Sequence, residues 1–202
     1  IGVPTDTGNG GITHPFFKVS RTREELIAAR DAIVAWARLT YGWMGRSPDY
    51  KASFMVTLGF NPDYYAPYQE NARRWYAMNQ ERCPFLNHAI VNPPIDRQRP
   101  PEEVADVYVH CEQETDAGII VRGAKNETAA PYAHQAFVKP TIANWGDEKL
   151  SDYALGFVCA INAPGLKHIC RASHAVGRKP EDYPIASRFD ELMVDVDRVN
   201  LL

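Results

Sequence analysis

The sequence predicts an α+β protein, helices first and strands after. A helical period with a start signal runs over 22–41, an Asn-Pro pair opens a second helical run over 62–79, and past Pro84 the chain turns to short β-branched runs broken by prolines. Helices and strands that are segregated along a chain point to α+β layering rather than to alternating βαβ units. The same switch divides the chain into a helical domain over 1–85 and a β-rich domain over 86–202.

Taken in order, residues 1–20 read as an extended lead-in containing the Gly-rich stretch Thr5-Asp6-Thr7-Gly8-Asn9-Gly10-Gly11. A phosphate-cradling role would need a Gly-Lys-Ser/Thr ending and a preceding strand; without them the stretch reads as a plain loop. Thr22 and Glu25 have the spacing of a capping box, and Leu26, Ala29, Ile33, Trp36, Ala37 and Thr40 share one helical face that ends at Gly42. Pro48 interrupts the next segment. Asn61-Pro62 then supplies an N-cap with proline at the first helical position. Beyond Pro84, runs at 106–111, 118–121, 153–161, 166–170 and 192–199 read as strands, joined by turns such as Thr115-Asp116-Ala117-Gly118 and Ala163-Pro164-Gly165.

The 202 residues suffice for a real core, and 45% hydrophobic with 23% charged residues is ordinary globular composition. A net charge of -3 without a dense Lys/Arg cluster argues against nucleic acid and against a polybasic membrane patch. No apolar run approaches the ~20 residues of a membrane-spanning helix, and no signal-peptide pattern opens the chain. Cys83, Cys111, Cys159 and Cys170 lack CxxC spacing, which favours reduced thiols and a cytoplasmic location. His168, Cys170 and His174, with Cys159 nearby, fit no common zinc pattern, so no metal site is expected.

Two stretches concentrate the chemistry. Trp43-Met44-Gly45-Arg46-Ser47-Pro48-Asp49-Tyr50-Lys51 sets Arg46 and Tyr50 in an aromatic-rich turn, and Phe85 to Arg97 carries His88, Asn92, Asp96 and Arg97. Arg, Tyr and His are three donors suited to one phenolate oxygen. Arg46 and Tyr50 share a face if the turn is helical, since Pro48 is compatible with a first helical turn. Each has an ordinary reading too: Arg46 as a surface ion pair with Asp49, His88 as a satisfied core histidine, and Asn92, Asp96 and Arg97 as turn and cap chemistry. The aromatics from Tyr41 to Tyr76 are either a helical core with interfacial tyrosines or a ring-binding wall.

These two stretches resemble the oxygenase components of the 4-hydroxyphenylacetate 3-monooxygenase and p-coumarate 3-hydroxylase family, which are two-component FAD-dependent aromatic hydroxylases. The resemblance extends over Val3 to Gly11, Thr13-His14-Pro15-Phe16-Phe17-Lys18, Glu114 to Val121, Gly123-Ala124-Lys125, Asp182-Tyr183-Pro184 and Ser187-Arg188-Phe189-Asp190-Glu191. It implies an acyl-CoA-dehydrogenase-like fold, with an N-terminal helical domain and a middle β-barrel. The C-terminal helical bundle of such proteins would begin where this chain stops, so the resemblance makes the chain a fragment or a natural truncation.

The resemblance also implies a chemistry. Reduced FAD from a separate flavin reductase, with dioxygen, forms a flavin C4a-hydroperoxide, which ortho-hydroxylates a phenol to a catechol. Arg46, Tyr50 and His88 would be the catalytic and substrate-binding residues, converging on one pocket backed by Tyr64, Tyr68 and Trp75. His88, Asn92, Asp96, Arg97 and Thr128 would contact FAD. The full-length protein would be a homo-oligomer, a tetramer in its relatives. Two alternatives stand beside this reading. One is a catalytically silent homologue acting as a binding or assembly module. The other is a relative of 4-hydroxybutyryl-CoA dehydratase, against which counts the lack of cysteines over 1–82 to hold an iron–sulfur cluster.

Overall fold

The computed structural model describes residues 2–42, 47–93, 98–104, 106–127, 132–140, 148–169 and 186–195, the last stretch as backbone only. The chain is mixed helix and sheet and splits into two compact units between Leu86 and Asn87.

The first unit opens with a small antiparallel pair, β1 (Val3–Pro4) and β2 (Ile12–Thr13). The Gly-rich stretch between them closes on itself. The Thr5 amide donates to the Gly11 carbonyl at 3.0 Å, and the Thr5 hydroxyl and Gly11 amide donate to Asn9 Oδ1 at 2.5 and 2.9 Å. Helix α1 (Arg23–Leu39) starts on the expected capping box: Thr22 Oγ1 accepts from the Glu25 amide, and Glu25 Oε2 accepts from the Thr22 amide. It ends where Tyr41 and Gly42 both take positive φ and the Gly42 amide caps the Ala37 carbonyl at 2.8 Å.

Ala32 is the one fully buried residue of α1, and Leu26, on its apolar face, stays 63% exposed. Periodicity identifies an apolar face without saying what covers it. The single helix expected over 62–79 is two elements, a 3₁₀ turn at Pro62–Tyr65 and helix α3 (Gln69–Arg82). Pro67 separates them, because proline has no amide to donate and drives Ala66 to extended backbone (φ -57°, ψ 138°). Helix α2 (Asp49–Phe60) extends the helical turn that the sequence allowed at Pro48, which starts it with φ -58° and ψ -31°.

Phe16, Phe17, Ala32 and Ala52 form the core of this unit, with Ile33, Trp36 and Cys83 against it. α2 and α3 approach closely at Gly59, where an added Cβ would lie 2.5 Å from the Tyr76 ring. Tyr76 also ties the lead-in to α3. Its hydroxyl accepts from the Val19 amide at 3.0 Å and donates to Asp6 Oδ2 at 2.9 Å. The buried Gln80 amide donates to Asp6 Oδ1 at 2.6 Å.

The second unit holds two sheets. Strands β3 (Leu86–Ala89), β6 (Gln135–Val138) and β7 (Phe157–Ala160) form one, in the order β3-β6-β7. Strands β4 (His110–Thr115), β5 (Gly118–Lys125), β9 (Ala186–Asp195) and β8 (Leu166–Ile169) form the other, in the order β4-β5-β9-β8. The expected turn at Asp116-Ala117 makes the β4–β5 hairpin, with Thr115 paired to Gly118. Gly165, at φ 86°, makes the turn into β8.

The strand bounds differ from expectation. β5 runs on to Lys125, β4 begins at His110, and Tyr153 closes a 3₁₀ turn rather than opening a strand. β9 spans Ala186–Asp195, so the strand expected over 192–199 starts earlier, and its last residues lie outside the described ones. β3 and β6, four residues each, are too short for periodicity to reveal. Ala89, Val109, Val121, Ala136, Val138 and Phe157 form this unit's main core, contributed by both sheets.

Candidate functional site

Tyr50 occupies the first turn of α2, its amide donating to the Ser47 carbonyl at 3.2 Å. The helix therefore begins just after Ser47, which puts Pro48 where proline is tolerated. The Tyr50 ring meets Phe54 edge-on with centroids 5.9 Å apart, as residues four apart on a helix do. Lys51, 1% exposed, lies with Nζ 4.2 Å from the Phe54 centroid and 4.9 Å from that of Tyr50. Sequence reasoning missed this buried cation beside Tyr50, because one lysine in an aromatic run carries no signal of its direction. Arg46 lies outside the described residues. Tyr64 and Tyr68, expected in a ring-binding wall, are 79% and 50% exposed within the first unit.

In the second unit His88 is partly exposed on β3, between buried Asn87 and Ala89. Strand alternation explains this: His88 points to the face opposite its two neighbours. Three residues on, Val91 pairs with Asn126, whose amide donates to the Val91 carbonyl at 2.8 Å. Lys125, 3% exposed at the end of β5, donates from Nζ to the Ile90 carbonyl at 3.0 Å and to Asn92 Oδ1 at 2.5 Å. Burial pushes its ammonium down to about 8, still protonated at neutral pH. Asp96, Arg97 and Thr128 lie outside the described residues.

A third group lies close by in sequence. Glu127 is buried, with Oε2 3.4 Å from His168 Nδ1, while His168 Nε2 is 2.9 Å from the Ile161 carbonyl. A carbonyl only accepts, so Nε2 carries the proton there. Burial, reinforced by the Glu127 carboxylate, pushes the Cys159 thiol up to about 12, which makes it a poor nucleophile. Among the described residues no three His, Cys, Asp or Glu side chains are grouped to hold a metal ion.

A model of the family described as 4-hydroxyphenylacetate 3-hydroxylase N terminal matches residues 2–199. The chain belongs to this family. It is 56% identical over 196 residues to the oxygenase component of 4-nitrophenol 2-monooxygenase from a Rhodococcus species, covering 95% of this chain and 37% of that protein. It is 51% identical over 193 residues to the 4-hydroxyphenylacetate 3-monooxygenase oxygenase component of Pseudomonas aeruginosa, covering 93% of this chain and 37% of that one. This member of the 4-hydroxyphenylacetate 3-hydroxylase family thus spans well under half the length of those relatives. Its fold matches, with a TM-score of 0.82 and 30% identity, a crystal structure of such an oxygenase component complexed with FAD and 4-hydroxyphenylacetate, covering 98% of this chain and 43% of that one.

The chemistry of the Ile90–Asn126 region is compatible with a flavin: the Asn92 carboxamide, its oxygen bonded to Lys125, would have its donors left for a planar, carbonyl-bearing ring, and the ammonium would add positive potential.

Proposed function

We propose that the protein carrying this chain is the oxygenase component of a two-component, FAD-dependent monooxygenase that hydroxylates a phenol ortho to its hydroxyl group, with reduced FAD delivered by a separate reductase. The observation that carries this reading is that relatives more than half identical over nearly the whole chain are named as oxygenase components of a 4-nitrophenol 2-monooxygenase and a 4-hydroxyphenylacetate 3-monooxygenase. Reduced FAD, when bound, supplies with dioxygen the electrophilic oxygen. The protein's part is to hold the ring, favour phenolate and exclude water.

A phenol has a pKa of ~10, so forming phenolate at neutral pH is costly, and a fixed guanidinium beside the oxygen lowers that cost. Arg46 takes this role. Tyr50 shares the oxygen as donor or acceptor, and its place in the first turn of α2 gives it a firm backbone. His88 donates to the phenolate or accepts its proton. Asn92, Asp96, Arg97 and Thr128 are assigned to FAD along with His88.

The reading also takes residues 1–85 as the helical domain and 86–202 as the flavin-contacting domain, whose sheets close into a barrel. It further assumes a helical bundle and a homotetramer in the whole protein, and a cytoplasmic location. The free thiols of Cys83, Cys111 and Cys159 support the last of these.

The test uses the full-length protein, anaerobically reduced FAD, oxygen and 4-hydroxyphenylacetate or 4-nitrophenol, with catechol measured against oxygen consumed. Arg46→Ala should cost ~1.5–3 kcal/mol in kcat/KM, against ~1 kcal/mol for Tyr50→Phe, because only the first removes a charge-assisted bond. His88→Ala should lower the catechol formed per oxygen consumed. Wild-type coupling and rate in all three variants would exclude these roles. Hydroxylation that persists without flavin and stops with a chelator would exclude the reading as a whole.

A further inference from the structure

The geometry points to Lys125 as a positioning residue that fixes the polarity of Asn92, so that the Asn92 carboxamide offers only donors to the carbonyl edge of a bound flavin. An ammonium has hydrogens and no lone pair, so whichever carboxamide atom faces Lys125 Nζ must be the oxygen. That settles an assignment which ordinarily has to be argued from the surrounding hydrogen bonds. The bond is charge-assisted, because its donor is an ammonium.

Three further features keep the lysine from giving way. Its Nζ is also held by the Ile90 carbonyl, it is 3% exposed, and the Val91–Asn126 bridge ties the residue after it to the residue between its two acceptors. With Oδ1 turned inward, the two Nδ2 hydrogens face away from the lysine and meet no acceptor among the described residues. A carboxamide free to rotate could turn either its oxygen or its nitrogen outward. One locked in this way takes an acceptor, such as a flavin ring carbonyl, and rejects a ring N–H.

This inference rests on the flavin reading above, and the test separates the two. Affinity for reduced FAD is measured by anaerobic titration of the full-length protein, together with its thermal midpoint. Asn92→Ala should weaken binding about tenfold, the worth of one good hydrogen bond. Lys125→Met should weaken it by a similar factor in the wild-type background and have no further effect in the Asn92→Ala background, because the lysine acts through Asn92.

Asn92→Asp provides an arm that does not strain the fold. It keeps an acceptor on Lys125 and replaces the outward donor with a carboxylate oxygen, which repels a flavin carbonyl, so affinity should fall while the thermal midpoint holds or rises. Equal losses from Lys125→Met in both backgrounds, or full affinity in Asn92→Ala or Asn92→Asp, would overturn the inference and leave the flavin reading standing. A wild-type protein that binds no reduced FAD would overturn both.

Discussion

Tyr76 shows how much one side chain can organise. Burial first, and the Asp6 carboxylate with it, push its hydroxyl up to about 12, against the lowering effect of the Val19 amide. Below the ordinary value of 10.0 the phenol is protonated whether the chain is folded or not. Between that pH and about 12 the unfolded chain loses the proton and the folded one keeps it, so stability falls as pH rises through this window. Tyr76→Phe should remove that alkaline dependence. At neutral pH it should cost about 1 kcal/mol, because the Val19 amide loses its acceptor. Urea unfolding at pH 7 and at pH 11 checks both; an unchanged alkaline slope in the variant would assign the dependence elsewhere. No pattern in the sequence announces this network, since Asp6 and Tyr76 lie 70 positions apart. Lys125 is a similar case. The sequence placed it in a family motif, and only its two acceptors show what it holds.

Among the elements, the most legible was α1, because its start rests on a bond between residues three apart. Thr22→Ala should cost about 1 kcal/mol, measurable as a lowered urea midpoint at unchanged slope, and Thr22→Ser should recover most of it. A loss below about 0.2 kcal/mol would mean that the box is ornamental at this exposed site. Gly123 in β5 is a harsher case that the sequence did not flag. Its φ is +123°, and an added Cβ would sit 2.3 Å from the Tyr108 carbonyl oxygen, which is backbone and has nowhere to go. Gly123→Ala should therefore cost on the order of 3 kcal/mol or more, and a variant of wild-type stability would show that the β5 backbone can shift there. The misread helix over 62–79 has a plain cause. Asn61-Pro62 is a start signal, but Pro67, five residues further on, removes a helical bond and crowds the preceding turn.

At the scale of the molecule, each unit has its own core: Phe16, Phe17, Ala32 and Ala52 in the first, and a cluster around Val121, Val138 and Phe157 in the second. Phe157 is fully buried, so Phe157→Ala should cost about 3–5 kcal/mol by opening a cavity that the strands cannot fill. Denaturant unfolding of the full-length protein measures this, and a cost under 1 kcal/mol would mean that the neighbouring strands relax into the space. Among the described residues no helix is long and apolar enough to cross a membrane.

The order of the helices before the two sheets of the second unit, the start of α1, and the turns at Asp116-Ala117 and Gly165 were determined by the sequence alone, because each depends on residues within a few positions of one another. The same holds for the family, whose motifs are contiguous runs. The burial of Lys51 beneath Tyr50 and Phe54, the grip of Lys125 on Asn92 across 33 positions, and the pairing of Glu127 with His168 were decided only by the tertiary structure. The physical reason is that a polar side chain's role depends on what is packed against it after the chain has folded back. No local periodicity or spacing records that.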